Sequence, residues 1–106
     1  KAENYYLESL EIKKKSKGEK SELYANSLKT VASFYYTIGN YAKTEEYYLK
    51  SSDIYKEING ELSSNYAGSL NRLGILYKNT DRFKEAEEHY VKYLEIIEKI
   101  FGMKWI

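Results

Sequence analysis

Apolar positions recur along this chain with a period near that of an α-helix, in blocks several turns long that are parted by short polar or glycine-bearing breaks. In residues 21–38 the set Leu28, Val31, Ala32, Tyr35 and Ile38 follows helical spacing. Residues 41–58 carry a second stripe of Tyr41, Tyr47, Tyr48, Ile54, Tyr55 and Ile58. Between them, Ile38-Gly39-Asn40 offers a residue that tolerates positive φ and a good N-cap. Thr80-Asp81-Arg82 reads as the equivalent turn, with Asp81 as its cap. Gly18, Gly60 and Gly102 each follow a stripe, where a left-handed residue just past the last turn ends a helix. The pattern therefore predicts five helices, over residues 2–17, 21–38, 41–58, 63–80 and 83–100.

The glycines also set a period, since 60 − 18 = 42 and 102 − 60 = 42. Shifting the chain by 42 lays Glu19–Leu28 onto Glu61–Leu70, Tyr35 onto Tyr77, Glu45 and Glu46 onto Glu87 and Glu88, and Tyr48 onto Tyr90. Residues 19–60 and 61–102 share 14 identities in 42 pairs, and Tyr6, Leu7, Ser9, Ile12 and Gly18 hold the same register upstream. A period of this size marks a stacked-repeat architecture, in which each unit buries its apolar face on its neighbours. The expected fold is all-α: a solenoid of antiparallel helix pairs, about two and a half repeats in one domain. Residues 1–18 are a half repeat with the second helix only, 19–60 and 61–102 are full repeats, and 103–106 are a tail or the start of a next helix. An opening on an unpaired second helix, with apolar Met103, Trp105 and Ile106 at the other end, points to truncation from a larger protein or to end-to-end pairing.

Leu70-x₂-Leu73-Gly74-x₂-Tyr77, then Phe83 and Ala86-x₃-Tyr90, has the tetratricopeptide spacing. Small residues at Gly74 and Ala86 let paired helices approach, and the aromatics fill the gaps around them. The first repeat keeps Leu28, Val31, Ala32, Tyr35, Gly39, Tyr41 and Tyr48 but has Thr44 where alanine is usual. With its 42-residue unit, Tyr66–Leu73 and the Ile96–Gly102 ending, the chain resembles the kinesin-light-chain type of tetratricopeptide repeat. That resemblance implies a right-handed solenoid whose first helices line a concave groove for an extended peptide or a partner helix. Groove-facing candidates are then Asn26, Lys29, Ser33 and Tyr36 in the first repeat, with Asn71, Arg72, Ile75, Lys78 and Asn79 in the second. In such repeats an asparagine after the motif leucine holds the peptide backbone, a role that falls here on Asn71, because a carboxamide both donates and accepts. Some relatives clamp an acidic tail with lysine, arginine and asparagine; Lys29 and Arg72 match that set, but Ser33 stands in place of its asparagine.

Composition adds mostly exclusions. Lys+Arg of 17 against Asp+Glu of 16 leaves +1, which makes no electrostatic case for nucleic acid or an anionic membrane. The Lys13-Lys14-Lys15-x-Lys17 run reads as a solvated helix end, where cations oppose the dipole's negative pole. No apolar run is long enough to span a membrane, and no signal peptide opens the chain. The absence of cysteine removes disulfides and thiolate metal sites and suits a reducing, cytoplasmic setting. His89 and Glu85 stand four apart, yet a metal wants three or four ligands and there is no second histidine. No phosphate loop or nucleophile–base motif appears, so neither enzyme activity nor a cofactor is expected. The expected function is a protein-interaction scaffold. The alternatives are a structural segment of a longer array that stacks or self-associates through its terminal helices, and a regulatory repeat domain of a larger signalling protein.

Overall fold

The computed structural model describes residues 2–102, and the 103–106 tail lies outside the described residues. Five helices follow one another as α1 (Ala2–Lys17), α2 (Glu22–Thr37), α3 (Tyr41–Asn59), α4 (Ser64–Asn79) and α5 (Phe83–Phe101). Each packs on the next in sequence, in a slab of 46 × 31 × 14 Å. Side chains that start the helices are placed by chemistry. Ser21 and Ser63 accept from the backbone N–H groups of Tyr24 and Tyr66, both at 3.1 Å, so one orphan donor of α2 and of α4 is satisfied. Asn40 caps α3 as its sequence position implies, accepting from Lys43 N.

The α4–α5 turn differs from expectation. Asp81 is not the cap; it takes the left-handed φ of +65° that Gly39 takes one repeat earlier, and Arg82 stands at the cap position with no side-chain cap bond. The repeat register, which sets Asp81 on Gly39 and Arg82 on Asn40, outweighs aspartate's preference for capping, since aspartate also tolerates the left-handed region. Gly18, Gly60 and Gly102 all have positive φ, but Gly60 pairs its φ of 82° with an extended ψ of 173°, so only its φ is left-handed.

Leu28, Val31, Ala32 and Tyr35 are buried as the stripe requires, whereas Ile38 at its end is 58% exposed. Successive joints carry the core. Leu10, Leu28, Val31 and Tyr35 close the α1–α2 joint; Ala32, Tyr48, Leu73, Leu76, Tyr77 and Ala86 close the centre. Polar residues at tight seams bond to backbone rather than to water: Ser51 donates to the carbonyl of Ala25 and Thr44 to that of Asn40, each at 3.0 Å. At the α4–α5 seam a β-carbon on Gly74 would lie 2.9 Å from Tyr90 Cε1, which is why this position has none.

A tyrosine–glutamate bond recurs at both joints between repeats. Tyr35 donates to Glu3 at 2.9 Å, and Tyr77 donates to Glu45 at 2.8 Å. Arg82, with its guanidinium 4.4 Å from the centre of the Tyr77 ring, adds bonds to Glu45 at 2.9 Å and to Glu85 at 2.6 Å. Burial tends to raise the Glu45 pKa, but the bonds from Arg82 and Tyr77 outweigh it and hold the carboxyl below its usual range. Burial, then the bond to Glu3, pushes the Tyr35 phenol up to about 12; burial and Glu45 raise that of Tyr77 further still.

Those phenols make stability depend on alkaline pH. Their folded pKa values exceed the unfolded value of about 10, so the stabilisation is complete below about pH 10 and is lost as pH climbs through the folded values. Phenolate absorbance should therefore rise in two phases, the second coinciding with loss of helical circular dichroism. A Tyr35→Phe, Tyr77→Phe chain should shed that coincidence. Helicity that persists while every tyrosine ionises smoothly would refute this assignment.

Candidate interaction face

Of the nine residues singled out from sequence on the first-type helices α2 and α4, Ser33, Ile75, Lys78 and Asn79 are exposed, and Asn26, Lys29, Tyr36, Asn71 and Arg72 are half-buried. Two pairs bridge the repeats. Asn79 of α4 donates through Nδ2 to the Tyr36 hydroxyl of α2, and Tyr36 also lies against Tyr41 with ring centres 5.4 Å apart. Lys29 of α2 and Arg72 of α4 are near enough to repel each other: burial first, then the charge on Arg72, lowers the Lys29 ammonium below its ordinary pKa. Both are half-buried, and among the described residues neither forms an ion pair or a hydrogen bond to a side chain. Two cations held together without a carboxylate are unfavourable unless an anion joins them.

Not all nine are free to meet a ligand. Asn26 accepts the hydroxyl proton of Tyr55, and the Ser33 hydroxyl lies 3.2 Å from that of Tyr48, so both are engaged with α3. Asn71 is half-buried, while Ile75 and Lys78 are exposed. Gly68 was not foreseen: a β-carbon there would stand 3.2 Å from Arg72 Nη1, so the glycine gives the guanidinium room to lie along α4. A glycine inside a helix costs about 1 kcal/mol against alanine, and that cost was the available signal.

The remaining candidate chemistry resolves into packing. His89 stands edge-on to the Tyr77 ring at 5.0 Å, with Nδ1 2.8 Å from the carbonyl of Glu85. Among the described residues no group of three metal-ligating side chains forms, and no helix is long and apolar enough to cross a membrane. Lys14, Lys15 and Lys17 sit in the last turn of α1, at the helix end foreseen for them.

Stacked antiparallel helix pairs with a polar, cation-bearing stripe along the first helices define a helical-repeat solenoid of the interaction-module class. The tetratricopeptide repeat family model matches residues 28–99, and the chain belongs to that family. No curated protein matches the sequence. Among solved structures, the crystal structure of BtubC (BKLC) from P. vanneervenii superposes with a TM-score of 0.86 at 23% identity. The match covers 92% of this chain and 39% of that one, so the present chain spans well under half of its structural relative. That likeness shows the fold of an all-α helical-repeat solenoid. Tetratricopeptide repeats are in general protein–protein interaction modules and typically non-catalytic.

Proposed function

We propose that this chain is a protein-interaction module that takes an extended peptide along the concave face of α2 and α4, and that the peptide brings a carboxylate to Lys29 and Arg72. Two half-buried cations on neighbouring first helices, neither with an ion pair among the described residues, are the observation that carries the reading. A ligand carboxylate bonded to both would relieve their repulsion through charge-assisted hydrogen bonds. In this reading half-buried Asn71, next to Arg72, would hold a peptide group, and exposed Ile75, one turn on, would supply an apolar rest. The partner is a protein or peptide, not nucleic acid, because this stripe holds too few cations to track a phosphate backbone.

Selection from a random peptide library tests this. The parent chain should enrich sequences with an aspartate, a glutamate or a free C-terminus at a fixed place, and a folded Lys29→Ala, Asn71→Ala chain should lose them. Enrichment of neutral or basic sequences, or none at all by the folded parent, would move the weight to a second reading. In that reading the chain is a stacking segment of a longer array, and the open outer side of α5 speaks for it.

A further inference from the structure

We propose that the groove between α3 and α5, floored by α4, takes the arginine side chain of a partner protein, with Asp53 and Glu88 as its carboxylates and Ser52 as a buried acceptor. The groove shares no residue with the candidate face on α2 and α4, and the inference does not depend on what binds there.

Two exchanges in the repeat register open this groove. One repeat earlier, the corresponding positions between α1 and α3 hold Leu10 and Tyr47, both packed on Leu28, Val31 and Tyr35 of α2. The Tyr47 ring stacks on that of Tyr35 at 5.7 Å. After one 42-residue period Ser52 replaces Leu10 and His89 replaces Tyr47. The serine brings a single oxygen in place of three leucine carbons. His89 folds back on its own helix, with Nδ1 2.8 Å from the carbonyl of Glu85, and meets Tyr77 edge-on instead of stacking. The space so released lies over Leu70 and Leu73, beside Leu49.

Its lining is rich in acceptors and poor in donors. Ser52 is 5% exposed, and among the described residues its hydroxyl bonds to nothing, whereas buried Thr44, Ser51 and Ser69 each donate to a backbone carbonyl. Among the described residues no fully enclosed side-chain oxygen lacks a partner, so that of Ser52 opens on the groove it lines. Asp53 on the α3 wall and Glu88 on the α5 wall are exposed, and neither forms an ion pair among the described residues. The ammonium of Lys92 stands 5.7 Å from the centre of the Tyr66 ring and joins neither carboxylate. Because a carbonyl only accepts, His89 donates through Nδ1 to Glu85, which makes Nε2 of the neutral ring a further acceptor. Exposed carboxylates alone are ordinary surface; the unpartnered hydroxyl buried beneath them is what makes this a site. Its occupant must be cationic and must donate in several directions. A guanidinium does both, with five N–H donors in a planar fork, where an ammonium is a compact and strongly hydrated point charge. The methylene stem would lie on Leu49, which is 40% exposed, while the head donates to Asp53, Glu88 and Ser52.

The blocked peptide acetyl-Ala-Arg-Ala amide, titrated into the 106-residue chain and followed through backbone amide shifts, tests the groove against its lysine and citrulline counterparts. The arginine peptide should give saturable shifts at Ser52, Asp53, Leu70 and Glu88, and should bind about fivefold more tightly than the uncharged citrulline form. The lysine form should fall between them. Asp53→Asn and Glu88→Gln should each weaken the arginine peptide by about three- to fivefold and leave the citrulline form unaffected. Ser52→Leu, which restores the residue of α1, should close the groove and abolish the shifts. Ser52→Ala removes the acceptor without filling the space and should weaken binding by about three- to tenfold, which keeps the test decisive if leucine disturbs the fold. Absence of saturation at millimolar arginine peptide would overturn the proposal. So would equal affinity for the citrulline or the lysine form, shifts centred away from the groove, or unchanged affinity in a folded Asp53→Asn, Glu88→Gln chain.

Discussion

Replacing Gly74 with leucine should lower the melting temperature by about 10–20 °C and strip helicity from the second repeat first. The expectation rests on one contact: even a β-carbon at this position meets Tyr90 Cε1 at 2.9 Å, inside any normal carbon–carbon approach. Leucine adds three further carbons to the same seam, where Ala86 is already buried and Leu73 is fully enclosed. Overpacking of this kind costs about 1–3 kcal/mol and sometimes more, and each kcal/mol moves the melting point of a domain this size by about 4–8 °C. Repeat arrays couple mainly to nearest neighbours, so damage should start in α4 and α5 and reach α2 and α3 through the shared core and the Tyr77–Glu45 bond. Gly74→Ala should cost less, because the contacting atoms belong to a ring edge that can pivot. A leucine variant that melts like the parent would show that the α4–α5 seam is not as tight as it stands.

The second large effect is functional. Reversing charge at the cation pair, with Lys29→Glu and Arg72→Glu, should reduce affinity for a selected acidic peptide by at least a hundredfold while leaving the fold intact. Each charge-assisted bond contributes about 1.5–3 kcal/mol, and reversal adds repulsion to the loss. Neither residue supports the core, since both are half-buried without an ion-pair partner among the described residues, and exchanging two like cations for two like anions leaves a repulsion of the same kind rather than a new one. Circular dichroism establishes that the variant is folded, and fluorescence anisotropy of a labelled peptide reads the loss. Unchanged binding by a folded double variant would place the ligand elsewhere.

Much of the architecture is legible in sequence because two independent periodicities agree. The 3.6-residue stripe locates each helix, and the 42-residue register repeats it with Gly18, Gly60 and Gly102 as punctuation. Both signals act on apolar and small residues, whose burial depends on spacing alone. Polar partnerships are harder, since they depend on which side chains meet across a joint. The Tyr35–Glu3 and Tyr77–Glu45 bonds span 32 residues, a separation that neither periodicity announces. The register does contain them in retrospect, as Glu3, Glu45 and Glu87 fall in one column and Tyr35 and Tyr77 in another.

The same contrast runs through the candidate face. Helical spacing suffices to put Lys29 and Ser33 on one stripe of α2 and Asn71 and Ile75 on one stripe of α4, and it cannot show that the Asn26 and Ser33 side chains are engaged by Tyr55 and Tyr48 of α3. The charge of Arg72 also acts on Lys29 across the repeats, and Gly68 leaves room for that guanidinium; neither relation lies in the spacing within one helix. At the α4–α5 turn, local preference favours Asp81 as cap, and the repeat's backbone geometry overrides it.

A double-mutant cycle by calorimetry tests the central claim most directly, pairing Arg72→Gln in the chain with replacement of the peptide's acidic residue by its amide. If Arg72 and the peptide carboxylate meet, the two changes will be coupled by about 1.5 kcal/mol or more. Additivity to within about 0.5 kcal/mol would mean that they do not touch, and the cation pair would then be no part of the peptide's seat.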